Sequence, residues 1–376
     1  MKSKGNPFHL KGYHGAALFC NREKETSVLI ENLNNGINTT LFSIRRMGKT
    51  GLIHHVFNKL KRDKAVECIY LDIYATQSLS EFTNQIASAI LQAFPKNNSI
   101  GKKFINLIKG LSPIISYDAL TGAPEISFTY AQPKQYEYSL KELFAFLDRQ
   151  NKTVVFAIDE FQQITQYPET NIEALLRTII QQLKNVAFIF SGSQKHLMLE
   201  MFNSSKRPFF SSTSPLHLNE IPERKYASFI KKLFKKGGRE IDDRSIDFIL
   251  EWTKVHTYYT QALCNKVYAQ NTSEIKLKDV YASCDSILEE QENVFFQYRN
   301  LLTKAQWNLV KAIAREDSVS QPTGNKFISK YNLGNPTSVR RSLEALVNKE
   351  MVFRESDKKG SYYRVYDCFL SRWLER

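Results

Sequence analysis

The stretch Asn38-Thr39-Thr40-Leu41-Phe42-Ser43-Ile44-Arg45-Arg46-Met47-Gly48-Lys49-Thr50 decides how this chain is read. Asn38 to Ile44 has the composition of a buried strand, Arg45 to Thr50 that of a tight loop, and Gly51 to Lys61 the spacing of a helix. Strand, glycine-containing loop and helix in that order let backbone N–H groups and a helix N-terminus cradle a phosphate. The general pattern is G-x-x-x-x-G-K-[ST], and Ser43 stands at its first glycine, at some conformational cost to the turn. The chemistry-bearing parts are in place. Gly48 lets the backbone approach an anion, Lys49 reaches the terminal phosphates, and the Thr50 hydroxyl is a Mg²⁺ ligand. The stretch predicts an ATP–Mg²⁺ site with contacts from Arg45, Arg46, Met47, Gly48, Lys49, Thr50 and Gly51.

A second apolar strand, Val154-Val155-Phe156-Ala157-Ile158, ends in Asp159-Glu160. Sheets of this class bind ligands at the carboxyl ends of their strands. Asp159 is expected to hold Mg²⁺ through water and Glu160 to act as general base on the attacking water. Gln162 follows as a polar side chain within reach of nucleotide or solvent. A third strand, Val186 to Phe190, ends in Ser191-Gly192-Ser193, where Ser191 or Ser193 is placed to sense the γ-phosphate. Arg45, Arg46, Arg177 and Arg207 are the arginines available to stabilise transition-state charge. Arg177, on the helix between the acidic pair and the serine strand, is positioned for a neighbour-facing role.

Working outward, strands and helices alternate from residue 21 to 190. An amphipathic helix opens at Asn21, the expected cap. Further strands and helices are Cys68–Ile73, Ser80–Phe94, Tyr138–Asn151 and Ile172–Leu183, with a β-hairpin inserted around Thr121-Gly122 at about 110–133. Alternation predicts a doubly wound parallel sheet. From Pro222 the strand signal stops and 222–297 read as helices only. The last segment reads as three short helices and then two strands joined at Asp357-Lys358-Lys359-Gly360. The expected fold is thus α/β: a P-loop NTPase parallel-sheet core over 1–220, an all-helical lid domain over 221–297 and a C-terminal winged helix-turn-helix over 298–376.

In that last segment Thr337 to Lys349 is the expected recognition helix, with Val339, Leu343, Leu346 and Val347 inward. Thr337, Ser338, Arg340 and Arg341 face outward to meet phosphates or guanine edges, and Lys358 and Lys359 tip the wing. These are the candidate DNA contacts. Docking of a protein partner is the alternative use of such a domain.

Composition bounds the rest. The 376 residues carry 52 Lys and Arg against 38 Asp and Glu, a formal net charge of +14 that permits polyanion contact. Hydrophobic residues at 42% are globular, and five scattered cysteines without C-x-x-C spacing point away from a metal cluster and toward free thiols in a reducing, cytoplasmic setting. No apolar run is long enough to cross a bilayer, so no membrane partner is expected.

In order, Asn21-Arg22-Glu23-Lys24-Glu25, Arg45 to Thr50, Ile158-Asp159-Glu160-Phe161-Gln162 and Phe190-Ser191-Gly192-Ser193-Gln194 resemble the prokaryotic AAA+ ATPases of the archaeal-type family, relatives of STAND signalling and origin-recognition ATPases. The resemblance extends over about residues 15–376. His256-Thr257-Tyr258-Tyr259 resembles a Gly-x-Pro-Tyr lid motif, departing from it at His256 and Tyr258. The resemblance implies that Arg22 and Glu23 lie beside adenine and ribose and that Tyr258 and Tyr259 pack near the base. Two functions compete: an ATP-hydrolysing switch that couples ATP and ADP states to duplex DNA, a protein partner or self-association, and a nucleotide-gated scaffold with negligible turnover. A polymer motor is a weaker third.

Overall fold

The computed structural model describes residues 5–130, 132–357 and 360–376, which form two compact units, 12–220 and 221–376 with the N-terminal segment to 11. In the first unit, chain order is α1 (Glu23–Asn34), β1 (Thr39–Phe42), α2 (Lys49–Leu60), β2 (Val66–Asp72), α3 (Leu79–Ala93), α4 (Ser99–Lys109), β3 (Pro113–Tyr117), β4 (Pro124–Phe128), α5 (Pro133–Asp148), β5 (Thr153–Asp159), α6 (Ile172–Ile180), β6 (Val186–Ser191), α7 (Lys195–Asn203) and β7 (Ser214–His217). Strands β2-β5-β6-β1-β7 make one sheet, parallel throughout. β5 beyond Thr153 and all of β6 are buried, as a strand covered on both faces must be.

The two faces of the sheet carry separate cores. Phe156, Phe188 and Phe190 project to one side, where Phe144 meets Phe156 and Phe188 with ring centroids 5.8 and 5.6 Å apart. Val155, Ala157, Ala187 and Ile189 project to the other, against Leu52, Ile53 and Val56 of α2. Period-two alternation of large and small side chains thus fixes which face takes the phosphate-loop helix. The β3–β4 hairpin lies on α3, where Ile126 N–H donates to Ser88 Oγ at 2.8 Å and Phe128 N–H to Asn84 Oδ1 at 3.0 Å.

One local expectation is corrected, and two further elements are present. Asn21 does not cap α1: Asn21 and Arg22 are both left-handed, with φ of 56° and 73°, and the helix begins at Glu23 without a side-chain cap. The double left-handed turn sends Arg22 inward instead, to 4% exposure. Helix α4 and edge strand β7 were not expected. β7 is four residues long, contains Pro215 and alternates half-buried with exposed, which is too short a signal to read.

The second unit contains α8 (Glu223–Lys236), β8 (Glu240–Ile241), α9 (Asp243–Trp252), α10 (Thr257–Ala269), β9 (Glu274–Ile275), α11 (Leu277–Asn300), α12 (Lys304–Arg315), α13 (Asn325–Tyr331), α14 (Pro336–Asn348), β10 (Val352–Asp357), β11 (Gly360–Val365) and α15 (Cys368–Glu375). The helices-only reading of 222–297 is corrected by the parallel pair β8–β9, two residues on each side and below the length at which a strand pattern exists. Helix α11 runs on past residue 297 without a break. The lid helices hold α15 directly: Arg372 Nε donates to Trp252 O at 2.9 Å and Nη2 to Glu251 O at 3.0 Å, while Lys254 pairs with Asp317. On α14, Val339, Leu343 and Leu346 are buried and Thr337, Arg340 and Arg341 exposed. Lys358 and Lys359 lie outside the described residues.

Candidate nucleotide site

The loop between β1 and α2 turns on two left-handed residues, Arg46 at φ 62° and Gly48 at φ 96°. The second is the place where glycine is required, since a Cβ there is strained even though nothing crowds it. Met47, expected to touch nucleotide, is 2% exposed and anchors the loop from below, leaving Arg45 and Arg46 exposed beside it. Lys49 opens α2 and is 6% exposed; its ammonium donates to Ser43 Oγ at 3.2 Å and Ile44 O at 3.1 Å. Ser43 therefore serves the site through its hydroxyl, a function the replaced glycine lacks. Burial pushes the Lys49 ammonium down from its ordinary value, against the pull of Asp159 and Glu160. Gly51, in the first turn of α2, lies beside the Phe19 ring, where a Cβ would stand 3.4 Å from Cε2, an ordinary packing distance.

At the carboxyl end of β5, Asp159 is 4% exposed and accepts four hydrogen bonds. Thr50 Oγ1 and Tyr70 OH donate to Oδ2 at 2.7 and 2.9 Å, and Ser191 Oγ and Glu160 N–H donate to Oδ1 at 2.5 and 3.0 Å. The two expected Mg²⁺ ligands, Thr50 and Asp159, are thus in direct contact. Glu160 is left-handed, φ 56°, which turns its side chain away from the strand line. Its Oε2 accepts from Ser193 N–H at 3.1 Å, Ser193 Oγ at 2.7 Å and Gln162 Nε2 at 2.7 Å. The two serines left open by the sequence are therefore divided: Ser191 holds Asp159 and Ser193 holds Glu160. Gly192 between them admits Gln162, whose Oε1 lies 2.1 Å from where a Cβ would stand.

Two participants were not read from sequence. Tyr70 supports Asp159, and burial together with the nearby Asp159 carboxylate drives its phenol pKa up. Asp72 stands opposite Asp159 in the β2–β5 register, and burial first, then the neighbouring Asp159 and Glu160, hold its carboxyl above the usual range. Both depend on the pairing of two strands whose facing residues, such as Asp72 and Asp159, are 87 positions apart, so only the alternation of β2 hinted at them.

Arg22 Nη1 binds Glu25 Oε1 at 2.9 Å, and its Nη2 is buried without a hydrogen-bond partner among the described residues. Glu23 is exposed in the first turn of α1. Within the chain, Arg177 lies apart from the phosphate loop, and the role expected of it faces a neighbouring copy. It sits at the end of α6 and lines a cleft of about 70 Å³ with Asn38 and Thr213, at the amino ends of β1 and β7, the edge opposite the phosphate loop. Arg207 is committed to Glu173 and Glu200. Tyr259 belongs to the second unit, where it is 4% exposed and packs on Phe369 at 4.8 Å and His256 at 4.7 Å.

The residues fit an ATP–Mg²⁺ ligand on their own chemistry. A buried ammonium has only neutral oxygens as hydrogen-bond acceptors, a guanidinium nitrogen is orphaned, and a hydroxyl–carboxylate pair stands ready for a hard cation. A cluster of three or more His, Cys, Asp or Glu side chains able to bind a metal unaided is absent among the described residues.

Sheet order, phosphate loop and acidic strand end together define a P-loop ATPase core, followed by a winged helix. Residues 19–259 match the family described as an ATPase domain predominantly from Archaea, and the chain belongs to that family. Residues 293–376 match a probable winged helix domain. No curated protein matches the sequence. Among solved structures, the chain is similar to a Walker-type ATPase of Pyrococcus abyssi, at 16% identity and TM-score 0.68 over 98% of this chain and 100% of that one. It is also similar to the ORC2 protein of Aeropyrum pernix with ADPNP and ADP, at 14% identity and TM-score 0.61 over 98% and 96%. The Aeropyrum pernix ORC1 protein in complex with DNA aligns at 12% identity and TM-score 0.52 over 96% and 93%. At these identities the likeness concerns the fold.

Proposed function

We propose that this protein binds ATP with Mg²⁺ and hydrolyses it to ADP and phosphate, using the cycle as a switch that governs binding of duplex DNA or a protein partner by the winged helix. The observation that carries the reading is the convergence of Thr50 on Asp159 at 2.7 Å, with Lys49 on one side and Glu160 on the other. In that arrangement Lys49 and the loop N–H groups bind the β- and γ-phosphates, and Thr50 and Asp159 hold the cation, Asp159 through water. Bound Mg²⁺ supplies charge neutralisation on the phosphate oxygens. Glu160 takes a proton from water as its oxygen attacks the γ-phosphorus, the bond to the β–γ bridging oxygen breaks and ADP leaves, and Ser191 keeps Asp159 oriented throughout. Arg22, with its orphaned nitrogen, is assigned to the nucleoside end. Arg340 and Arg341 are assigned to DNA, in line with the DNA complex of the Aeropyrum pernix ORC1 protein. Cysteines without disulfides suit a cytoplasmic setting, and no described helix is long and apolar enough to cross a membrane.

The second reading, a nucleotide-gated module with negligible turnover, draws support from one feature. Glu160 Oε2 is occupied by three donors, which hold the base in place and weaken its hold on a water proton. The test is steady-state phosphate release by the wild type and Glu160→Gln, with and without duplex DNA, alongside ATP binding. DNA-stimulated turnover lost in the variant with binding retained is expected. Turnover unchanged in Glu160→Gln removes Glu160 as base, and tight ATP binding without turnover in the wild type selects the second reading.

A further inference from the structure

The winged-helix body carries a groove that the nucleotide site and the recognition helix leave unused. It lies along α11, α12 and α15 and encloses about 920 Å³. Three aromatic rings form its wall. Trp373 meets Phe296 edge-on at 5.3 Å and Trp307 at 6.3 Å, and Phe296 is 44% exposed. Large apolar rings are ordinarily covered, so a half-open trio along one groove marks a surface built to receive something flat.

The charges around the rings narrow the class. The lining holds five cations and one carboxylate. Arg376 is neutralised by Asp285, and the carboxylate, Glu292, accepts from Trp373 Nε1 at 3.4 Å. Arg299, Lys304, Lys311 and Arg315 enter no ion pair or side-chain hydrogen bond among the described residues. Four uncommitted cations beside one exposed and two half-buried aromatic rings match a strand of phosphates bearing unstacked bases: cations take the backbone, and rings take the bases whatever their sequence. Duplex DNA presents no base faces to such a wall. One uncharged amide, Asn308, lines the groove, which leaves little to read a ribose 2′-hydroxyl.

We infer that the α11–α12–α15 groove is a binding site for single-stranded DNA, independent of sequence and separate from the α14 face.

The test uses the full chain and a fluorescein-labelled oligo(dT) of about 15 nucleotides, a length in the range of site sizes for strand-tracking grooves. Anisotropy is expected to show binding that Lys311→Glu with Arg315→Glu weakens tenfold or more, lowering the salt slope by about 1.4 for two lost phosphate contacts. Both residues lie at the surface of α12, and a matched circular dichroism melt confirms that the variant folds. Arg340→Ala with Arg341→Ala is expected to leave oligo(dT) affinity unchanged. Oligo(dT) is expected to quench tryptophan fluorescence in Trp252→Phe, where Trp307 and Trp373 are the remaining indoles. Binding indifferent to the α12 reversals, absence of quenching, or preference for duplex or oligo(rU) of equal length overturns the assignment. Displacement of oligo(dT) by poly-glutamate at equal charge also overturns it, in favour of an acidic protein segment.

Discussion

Lys49 illustrates what a buried charge needs from its ligand. Its hydrogen-bond acceptors are a serine hydroxyl and a carbonyl, and burial lowers its pKa. Phosphate restores the missing counter-charge, so Lys49→Ala is expected to weaken ATP binding by about 100-fold or more, as befits loss of charge-assisted bonds. Micromolar affinity in that variant, measured by titration calorimetry, would refute the site assignment. The direction of the shift adds a pH dependence. The charged form binds phosphate and the neutral form does not, so affinity is greatest below the depressed pKa and falls as pH rises through it, before the ordinary lysine value of 10.5 is reached. Lys49→Arg, which does not titrate there, is expected to hold its affinity flat across the same range. A wild-type profile equally flat would show that the ammonium is not what binds. Asp159 and Glu160 divide their labour for a similarly local reason. One is saturated by four donors and fixed, while the other is turned aside by a left-handed backbone and held through a single oxygen.

At the scale of elements, the β6 end shows how a strand delivers side chains to a site. Ser191 and Ser193 point to different carboxylates because the chain leaves the sheet between them, and Gly192 makes the exit possible. A Cβ there meets Gln162 Oε1 at 2.1 Å and Met198 Sδ at 2.8 Å. Gly192→Ala is therefore expected to lower stability by about 1–3 kcal/mol, the usual cost of overpacking, and to slow hydrolysis by displacing Gln162 from Glu160. Denaturant melts and phosphate release read the two effects; an unchanged midpoint would mean that α7 yields freely. Long, strongly patterned elements were legible in advance. The apolar runs of β5 and β6, the stripe of α3 and the inward set of α14 each repeat often enough to outweigh local noise. Edge strand β7 and the pair β8–β9 were not legible, because two to four residues carry no period. The cap of α1 was misread because Asn21 favours both an N-cap and a left-handed turn, and burial of Arg22 decides between them.

For the molecule as a whole, the second unit is where nucleotide chemistry would become an output. Arg372 and the Tyr259–Phe369 contact tie α15 to α9 and α10, and the Lys254–Asp317 pair ties the α9–α10 turn to the segment after α12, so helices 223–300 and the winged helix form one compact unit. On its surface α14 exposes Arg340 and Arg341. Arg340→Ala with Arg341→Ala is expected to weaken duplex binding and to reduce its salt slope by about two. Affinity and slope both unchanged, by anisotropy over a salt series, would assign α14 to a protein partner.

The sequence by itself determined the phosphate loop, the acidic strand end, the serines and the succession of sheet core and winged helix, because each is written in contiguous residues whose chemistry and spacing are local. Only the tertiary structure decided that Tyr70 and Asp72 join Asp159, that Ser191 and Ser193 serve different carboxylates, and that Tyr259 packs inside the second unit. The same holds for Arg177, which ends at the far edge of the sheet, and for the convergence of Phe296, Trp307 and Trp373 with four cations. Those placements depend on strand register and helix packing between distant segments, and a one-dimensional pattern holds no record of which distant side chains meet.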